Sequence, residues 1–253
     1  MLKTATIRTV VTFLLASLIT IAGASTSSAD TSPAGAKPKK TEKLHPTLVQ
    51  VQDVPGLPRV LLIGDSVSMW YTLPVRKLLE GKANVHRPPV NCHSSRQVLS
   101  ELDSYLGDKP WDVIYFNCGG HDISHRNEKG YAPPPEGKIT VPLDEYKANL
   151  RAIVKRLQQT GANLVWATTT PMSESYLAKG HRRQHDLLAY NAAAAEIMTE
   201  AGIPIDNLYT LTKSDAEKLL RDGVHFTTEG SEVLAKSAAD SIQKQLAAKN
   251  AAK

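Results

Sequence analysis

The sequence predicts an α/β protein whose five-stranded parallel sheet is covered by helices on both faces. Apolar, β-branched runs alternate with longer stretches of helical periodicity, which is the pattern of repeated β-α-β units. The runs are apolar at nearly every position instead of every second one, as expected of strands buried on both sides. No segment of the 253 residues recurs at a fixed period, and Cys92 and Cys118 are the only cysteines, so neither a solenoid nor a disulfide framework competes.

Strands are expected at 59–63 (RVLLI), 83–90, 111–117 (WDVIYFN), 163–169 (NLVWATT) and 203–206. Helices are expected near 74–80, 96–106, 143–160, 182–201, 213–221 and 228–247. For 143–160 the argument is that Leu143, Tyr146, Leu150, Ile153, Val154 and Leu157 recur at helical spacing before a stop at Gly161. Leu234, Ala238, Ile242 and Leu246 form the corresponding stripe of the last helix. One segment breaks the rhythm: 123–142 has three consecutive prolines and no period. A loop this long in a compact domain is often functional, and its place after strand 111–117 puts it over the active edge of the sheet. It reads as a substrate-facing flap or, as the alternative, a solvated loop.

The ends of the chain do not read as core. Residues 1–29 carry Lys3 and Arg8, an apolar stretch from Val10 to Ala24 and the small residues Ser27, Ser28 and Ala29, the make-up of a secretory signal peptide. Export to the periplasm or the medium is therefore expected. No cysteine lies near the cleavage region to hold a lipid, and the apolar run is short for a stable membrane anchor. Residues 30–45 are rich in Pro, Lys, Thr and Ser and describe a flexible linker, which leaves 46–253 as one folded domain. Of the net charge of +5, the signal and the linker hold nearly all, so the basic balance implies no nucleic-acid partner. The oligomeric state is not encoded in any of these features.

Two short motifs carry the chemistry. Gly64-Asp65-Ser66 follows the strand 59–63, so Ser66 emerges at a strand's carboxyl end, where open α/β sheets place their ligands. A serine hydroxyl is a weak nucleophile until a base takes its proton. Asp222-Gly223-Val224-His225 supplies such a base, His225, with Asp222 three residues earlier to fix its tautomer and stabilise the imidazolium. Alone, the first motif reads better as a capped turn and the second as a solvated loop before a helix. Together, at opposite ends of an alternating pattern, they point to a nucleophilic triad.

These residues, with FNCGGHD at 116–122 and DGVHFT at 222–227, resemble the SGNH (GDSL-type) hydrolase family over essentially residues 58–247. The resemblance implies a three-layer, flavodoxin-like fold, no cofactor, Ser66 as nucleophile, and Asp222 and His225 as its partners. It also implies an oxyanion hole made from the serine N–H, a glycine N–H of a second block and an asparagine side chain of a third. Here the chain departs from the pattern. The third block reads Gly119-Gly120-His121-Asp122, with His121 in the asparagine's place, and the second, Asn91-Cys92-His93-Ser94-Ser95, has no glycine. His93 or Ser94 still has a backbone N–H to offer, a ring N–H of His121 can replace the amide, and Asn117 is a further donor.

The function implied is a secreted serine esterase that removes short acyl groups, acetyl in particular, from a polysaccharide. Three rivals stand beside it: an acyltransferase using the same triad, a glycan-binding protein disabled by the altered blocks, and a metal-dependent hydrolase built on His121, Asp122, His125 and His93. Among weaker features, Thr168, Thr169 and Thr170 end a strand on the active edge, and Trp70 and Tyr71 either shape the pocket or fill the core. Tyr190-Asn191 is expected to pack and anchor a loop, while Arg182, Arg183, His185 and Asp186 open the 182–201 helix and read as a charged, solvated face or, as the alternative, as substrate contacts.

Overall fold

The computed structural model of this chain describes residues 45–251. The expected signal peptide at 1–29 and all but the last residue of the linker lie outside them. Five parallel strands form the central sheet: β1 (Arg59–Ile63), β2 (Asn84–His86), β3 (Val113–Phe116), β7 (Asn163–Ala167) and β8 (Ile205–Asp206), in the order β2-β1-β3-β7-β8. Parallel neighbours require crossovers, and helices supply them. These are α1 (Ser66–Leu78), α2 (Ser95–Leu106), α3 (Leu143–Gln158) and α5 (Gln184–Glu200). After β8 come the short α6 (Leu208–Thr212) and α7 (Ala216–Leu219), then the long α8 (Thr228–Ala251). A single turn, α4 (Glu174–Leu177), lies between β7 and α5.

The alternation of side chains along each strand divides the core in two. Leu61, Ile63, Ile114, Phe116, Leu164 and Trp166 face α2, α3 and α5. Val60, Leu62, Val113, Tyr115, Val165 and Ala167 face α1 and α8. Full burial of such a side chain stabilises by roughly 1.5–3 kcal/mol, so both faces of the sheet are needed to hold it. The anticipated stripe of α3 is buried from Tyr146 to Leu157, and Leu234, Ala238 and Ile242 of α8 are buried with Leu246 at the edge.

Three expectations are corrected. A helix expected near 74–80 begins instead at Ser66, because the Asp65 carboxylate caps it through the Val67 N–H and burial of Tyr71, Thr72 and Val75 outweighs their poor intrinsic propensity. The helix expected at 213–221 is broken into α6 and α7 by a 3₁₀ turn at Lys213–Asp215. Third, the aperiodic segment 123–142 forms a three-stranded antiparallel sheet, with β4 (His125–Asn127) between β5 (Gly130–Tyr131) and β6 (Lys138–Ile139). Strands of two or three residues are too short to show a period. Cys92 and Cys118 are both free thiols, buried, and burial pushes both thiols up from their ordinary pKa. No helix among the described residues is long and apolar enough to cross a membrane.

Candidate active site

β1 has β2 on one side and β3 on the other, so the chain reverses its direction of travel across the sheet between β1 and β3. Such a switch point opens a crevice at the carboxyl ends of the strands. Ser66 follows β1, and Asn117 through Asp122 follow β3, so both reach the same crevice. It is a cleft of about 350 Å³, within the range of small-molecule sites, and Ser66, Asn117, His121, Asp222 and His225 all line it.

The three triad candidates are brought together. Ser66 Oγ lies 2.8 Å from His225 Nε2, and His225 Nδ1 lies 2.8 Å from Asp222 Oδ2. With Nδ1–H donating a hydrogen bond to the carboxylate, Nε2 is left unprotonated to accept from the serine hydroxyl. Asp222 Oδ1 also accepts the backbone N–H groups of His225 at 2.8 Å and Val224 at 3.1 Å, so the base and its partner share one turn. Partial burial pushes the Asp222 carboxyl up, but these bonds outweigh it and hold the pKa down to about 2. Gly223 makes the turn possible: its φ is +89°, and a Cβ there would come within 2.6 Å of Ser173 Oγ and Tyr176 Cβ.

Behind Ser66 sits Arg87, 1% exposed. It donates to Ser68 Oγ, Thr72 Oγ1 and the Gly64 carbonyl at 3.1 Å each, and to the Val90 and Pro88 carbonyls. The Gly64 carbonyl also accepts the Cys92 N–H. The turn before Ser66 and the second block are thus tied through one carbonyl.

The oxyanion candidates separate. Ser66, as the first residue of α1, has an N–H with no acceptor inside the helix. His121 lines the cleft with a ring that makes no hydrogen bond to the protein among the described residues; burial above all, with help from Arg182, lowers its pKa to about 4. His93 does not serve as expected, because Asn91 Oδ1 captures its N–H at 3.0 Å, in a turn where His93 takes φ +50°. Its ring instead packs edge-on against His121 with centroids 4.8 Å apart. Ser94 forms the N-cap position of α2, and neither it nor His93 lines the cleft. Asn117 does, yet its amide donates to the Ala167 carbonyl at 2.8 Å and approaches Thr169 Oγ1, so it binds the sheet edge instead of facing Ser66.

Asp122 is fully buried and accepts the Ser95 N–H and hydroxyl, capping α2 from the third block. Burial raises its pKa to about 6 against the pull of those bonds. Gly119 permits the block's close approach to β7, with φ +148° and only 2.5 Å between a built Cβ and Thr169 Oγ1. Among the described residues no three His, Cys, Asp or Glu converge as metal ligands, so His121, Asp122, His125 and His93 do not form the set that the metal alternative needs.

Of the weaker features, Thr168–Thr170 line the cleft and are also hydrogen-bonded at the strand end. Thr168 Oγ1 accepts from Tyr209, and Asn191 brackets Thr169 through both its N–H and its carbonyl. Tyr190 donates to the Val141 carbonyl, the packing role expected of it. Tyr71 is buried in the core and reaches the cleft floor, while Trp70 stacks under Arg221 away from it. The solvated face expected of Arg182 is corrected: it is 5% exposed and lines the cleft with Tyr131 and Tyr176, the position that the alternative of a substrate contact requires. One available signal is that a basic residue at the start of a helix opposes the helix dipole and so asks for another reason to be there.

Comparison with known proteins shows the family and the fold. Residues 78–233 match the model of the GDSL-like lipase/acylhydrolase family, a span that includes Asp222 and His225 and begins after Ser66. Curated relatives include the isoamyl acetate-hydrolyzing esterase 1 homologs of Mus musculus, 26% identical over 204 residues, and of Homo sapiens, 24% identical over 202. Each match covers 70% of this chain and 78% of the relative. Among solved structures, an acetylxylan esterase from Geobacillus stearothermophilus superposes with a TM-score of 0.61 at 17% identity, over 75% of this chain and 94% of the other. A lipase/acylhydrolase from Enterococcus faecalis gives 0.60 at 17% identity, over 75% and 97%. At these identities the structural likenesses establish the fold, a flavodoxin-like three-layer sandwich.

Proposed function

Because this chain belongs to the GDSL-like lipase/acylhydrolase family and is a carboxylic ester hydrolase, we propose that its cleft cleaves short-chain acyl esters, acetyl esters above all, through Ser66, His225 and Asp222. The observation that carries the proposal is the unbroken relay of two 2.8 Å hydrogen bonds from Ser66 Oγ through His225 to Asp222, at the wall of a cleft. Ser66 Oγ bonds to the ester carbon as its proton passes to His225 Nε2, and Asp222 stabilises the imidazolium. Negative charge gathering on the carbonyl oxygen is met by the Ser66 N–H and a ring N–H of His121, each such donor being worth about 3 kcal/mol in the barrier. The C–O bond to the alcohol breaks, the alcohol leaves with the proton from His225, and water then repeats the sequence on the acyl-serine. With its pKa near 4, His121 acts as a neutral donor at ordinary pH.

Acetyl is supported by the relatives' names, which specify acetate esters, and by the acetylxylan esterase among the fold neighbours. That neighbour also supports an acylated polysaccharide as the carrier. The N-terminal sequence supports a secreted or periplasmic location. The test is a paired assay of residues 46–253 and its Ser66→Ala variant on an aryl acetate, with organophosphonate labelling, a chelator arm and an added sugar acceptor. Turnover and labelling should vanish together in the variant and survive chelation, with acetate, not acyl-sugar, as the product. Retained turnover without Ser66 would overturn the mechanism.

A further inference from the structure

We propose that Arg182 is the docking group for a carboxylate carried by the ester substrate, so that the enzyme prefers an acidic ester to its neutral counterpart. The inference rests on the esterase reading above and gives it a substrate class. Arg182 is almost wholly removed from solvent, yet its partners are all neutral: the Gly120 carbonyl at 2.8 Å, the Tyr176 hydroxyl, and the Tyr131 hydroxyl at 3.4 Å. A guanidinium has five N–H donors and cannot shed its charge; two donors are left without an acceptor, and the charge is met by the faces of Tyr131 and Tyr176 at 5.2 and 5.7 Å but by no carboxylate, on the wall of the cleft that holds Ser66. Buried charges are ordinarily paired, and the vacant partner here faces a binding site.

The surroundings reinforce the sign. Arg126 lies over the Tyr131 ring at 4.3 Å, and Lys179 over the Tyr176 ring at 4.9 Å. Among the described residues neither cation pairs with a carboxylate. The two acids of the cleft are occupied elsewhere, Asp65 with the Val67 N–H and Asp222 with His225. A planar oxyanion suits the fork of a guanidinium, which favours a carboxylate. Arg182 bridges the two halves of the site, since it holds Gly120 of the third block on one side and, on the other, Tyr176, which closes on Gly223 of the triad turn.

The carboxylate has two possible sources, the alcohol half of the ester or the acyl half. Two substrate pairs separate them: a mono-acetylated methyl glucuronoside against the matching glucoside, and a nitrophenyl hemisuccinate against the butyrate. Wild-type kcat/KM should favour the acid in one pair by about 10- to 100-fold, the size of one charge-assisted contact. That ratio should fall to within a few-fold in Arg182→Gln and be partly kept in Arg182→Lys. Free glucuronate should also inhibit the wild type more strongly than glucose if the alcohol half carries the charge. Wild-type ratios near one in both pairs would overturn the proposal without any variant, and so would a preference that survives Arg182→Gln. Either result would leave the Ser66-dependent hydrolysis of neutral esters standing, whereas turnover in Ser66→Ala would remove the esterase mechanism itself.

Discussion

The two walls of the cleft are held together by different means. On the wall of Ser66 and His225, polar groups are satisfied at short range: Asp65 caps the helix it precedes, and Asp222 binds the backbone and ring of residues two and three positions on. His121, Tyr131, Tyr176 and Arg182, on the other, come from four separate segments, and two of them keep donors unspent. The same contrast appears in two arginines. Arg87, behind Ser66, makes five hydrogen bonds, enough for all its guanidinium N–H groups, whereas Arg182 makes three; among the described residues neither has a carboxylate partner. The chemical wall is complete before substrate arrives; the facing wall is completed by it.

Substitutions should break this contrast in graded fashion. The largest effect belongs to Asp222→Asn, which keeps the turn but removes the charge beneath His225: kcat should fall by about 10³- to 10⁴-fold with KM nearly unchanged. A loss in KM alone would mean that the relay is not used. On the facing wall, His121→Ala should lower kcat by about 100-fold, and His121→Asn should recover much of it by restoring a neutral N–H donor. Full activity in both variants would take His121 out of the oxyanion site.

The smallest effect concerns stability. Asp122, raised to about 6 by burial, binds its proton more tightly folded than unfolded. Its contribution is therefore fully present below the ordinary carboxylate pKa and is lost as pH rises through about 6. Asp222, held to about 2, behaves oppositely: its contribution is present above the ordinary value and lost only as pH falls toward 2. Melting temperatures of wild type and Asp122→Asn, compared between pH 4 and pH 7, should converge or cross as pH rises. A constant difference across that window would show that Asp122 does not titrate there.

What the sequence discloses follows the same division. Asp222 and His225 lie three apart, and Ser66 lies at the end of an unmistakable buried run, so short-range pattern suffices to find three residues that the fold brings into one hydrogen-bonded line. Strand β1 lies where RVLLI predicts it, since a core strand needs no context to be apolar throughout. The start of α1 is hidden because Val67, Trp70, Tyr71 and Thr72 are indifferent helix formers, and the packing that overrides them is tertiary. Arg182 is misread for a related reason. Nothing within ten residues of it announces Gly120 or Tyr131, and the miniature sheet that delivers Tyr131 is built from strands too brief to have a period. His93 is misassigned by one local bond, the Asn91 side chain taking the N–H that the second block was expected to offer.

The packing of α1 against α8 has a consequence for how the Ser66–His225 pair is held. Ser66 opens the first of these helices, and His225 stands three residues before the second, so the spacing between Ser66 and His225 is set where α1 and α8 meet. Everything between them, four of the five sheet strands included, can be present without a working pair. On the proposed mechanism, a substitution that loosens the α1–α8 contact should alter the 2.8 Å Ser66–His225 approach without touching either residue.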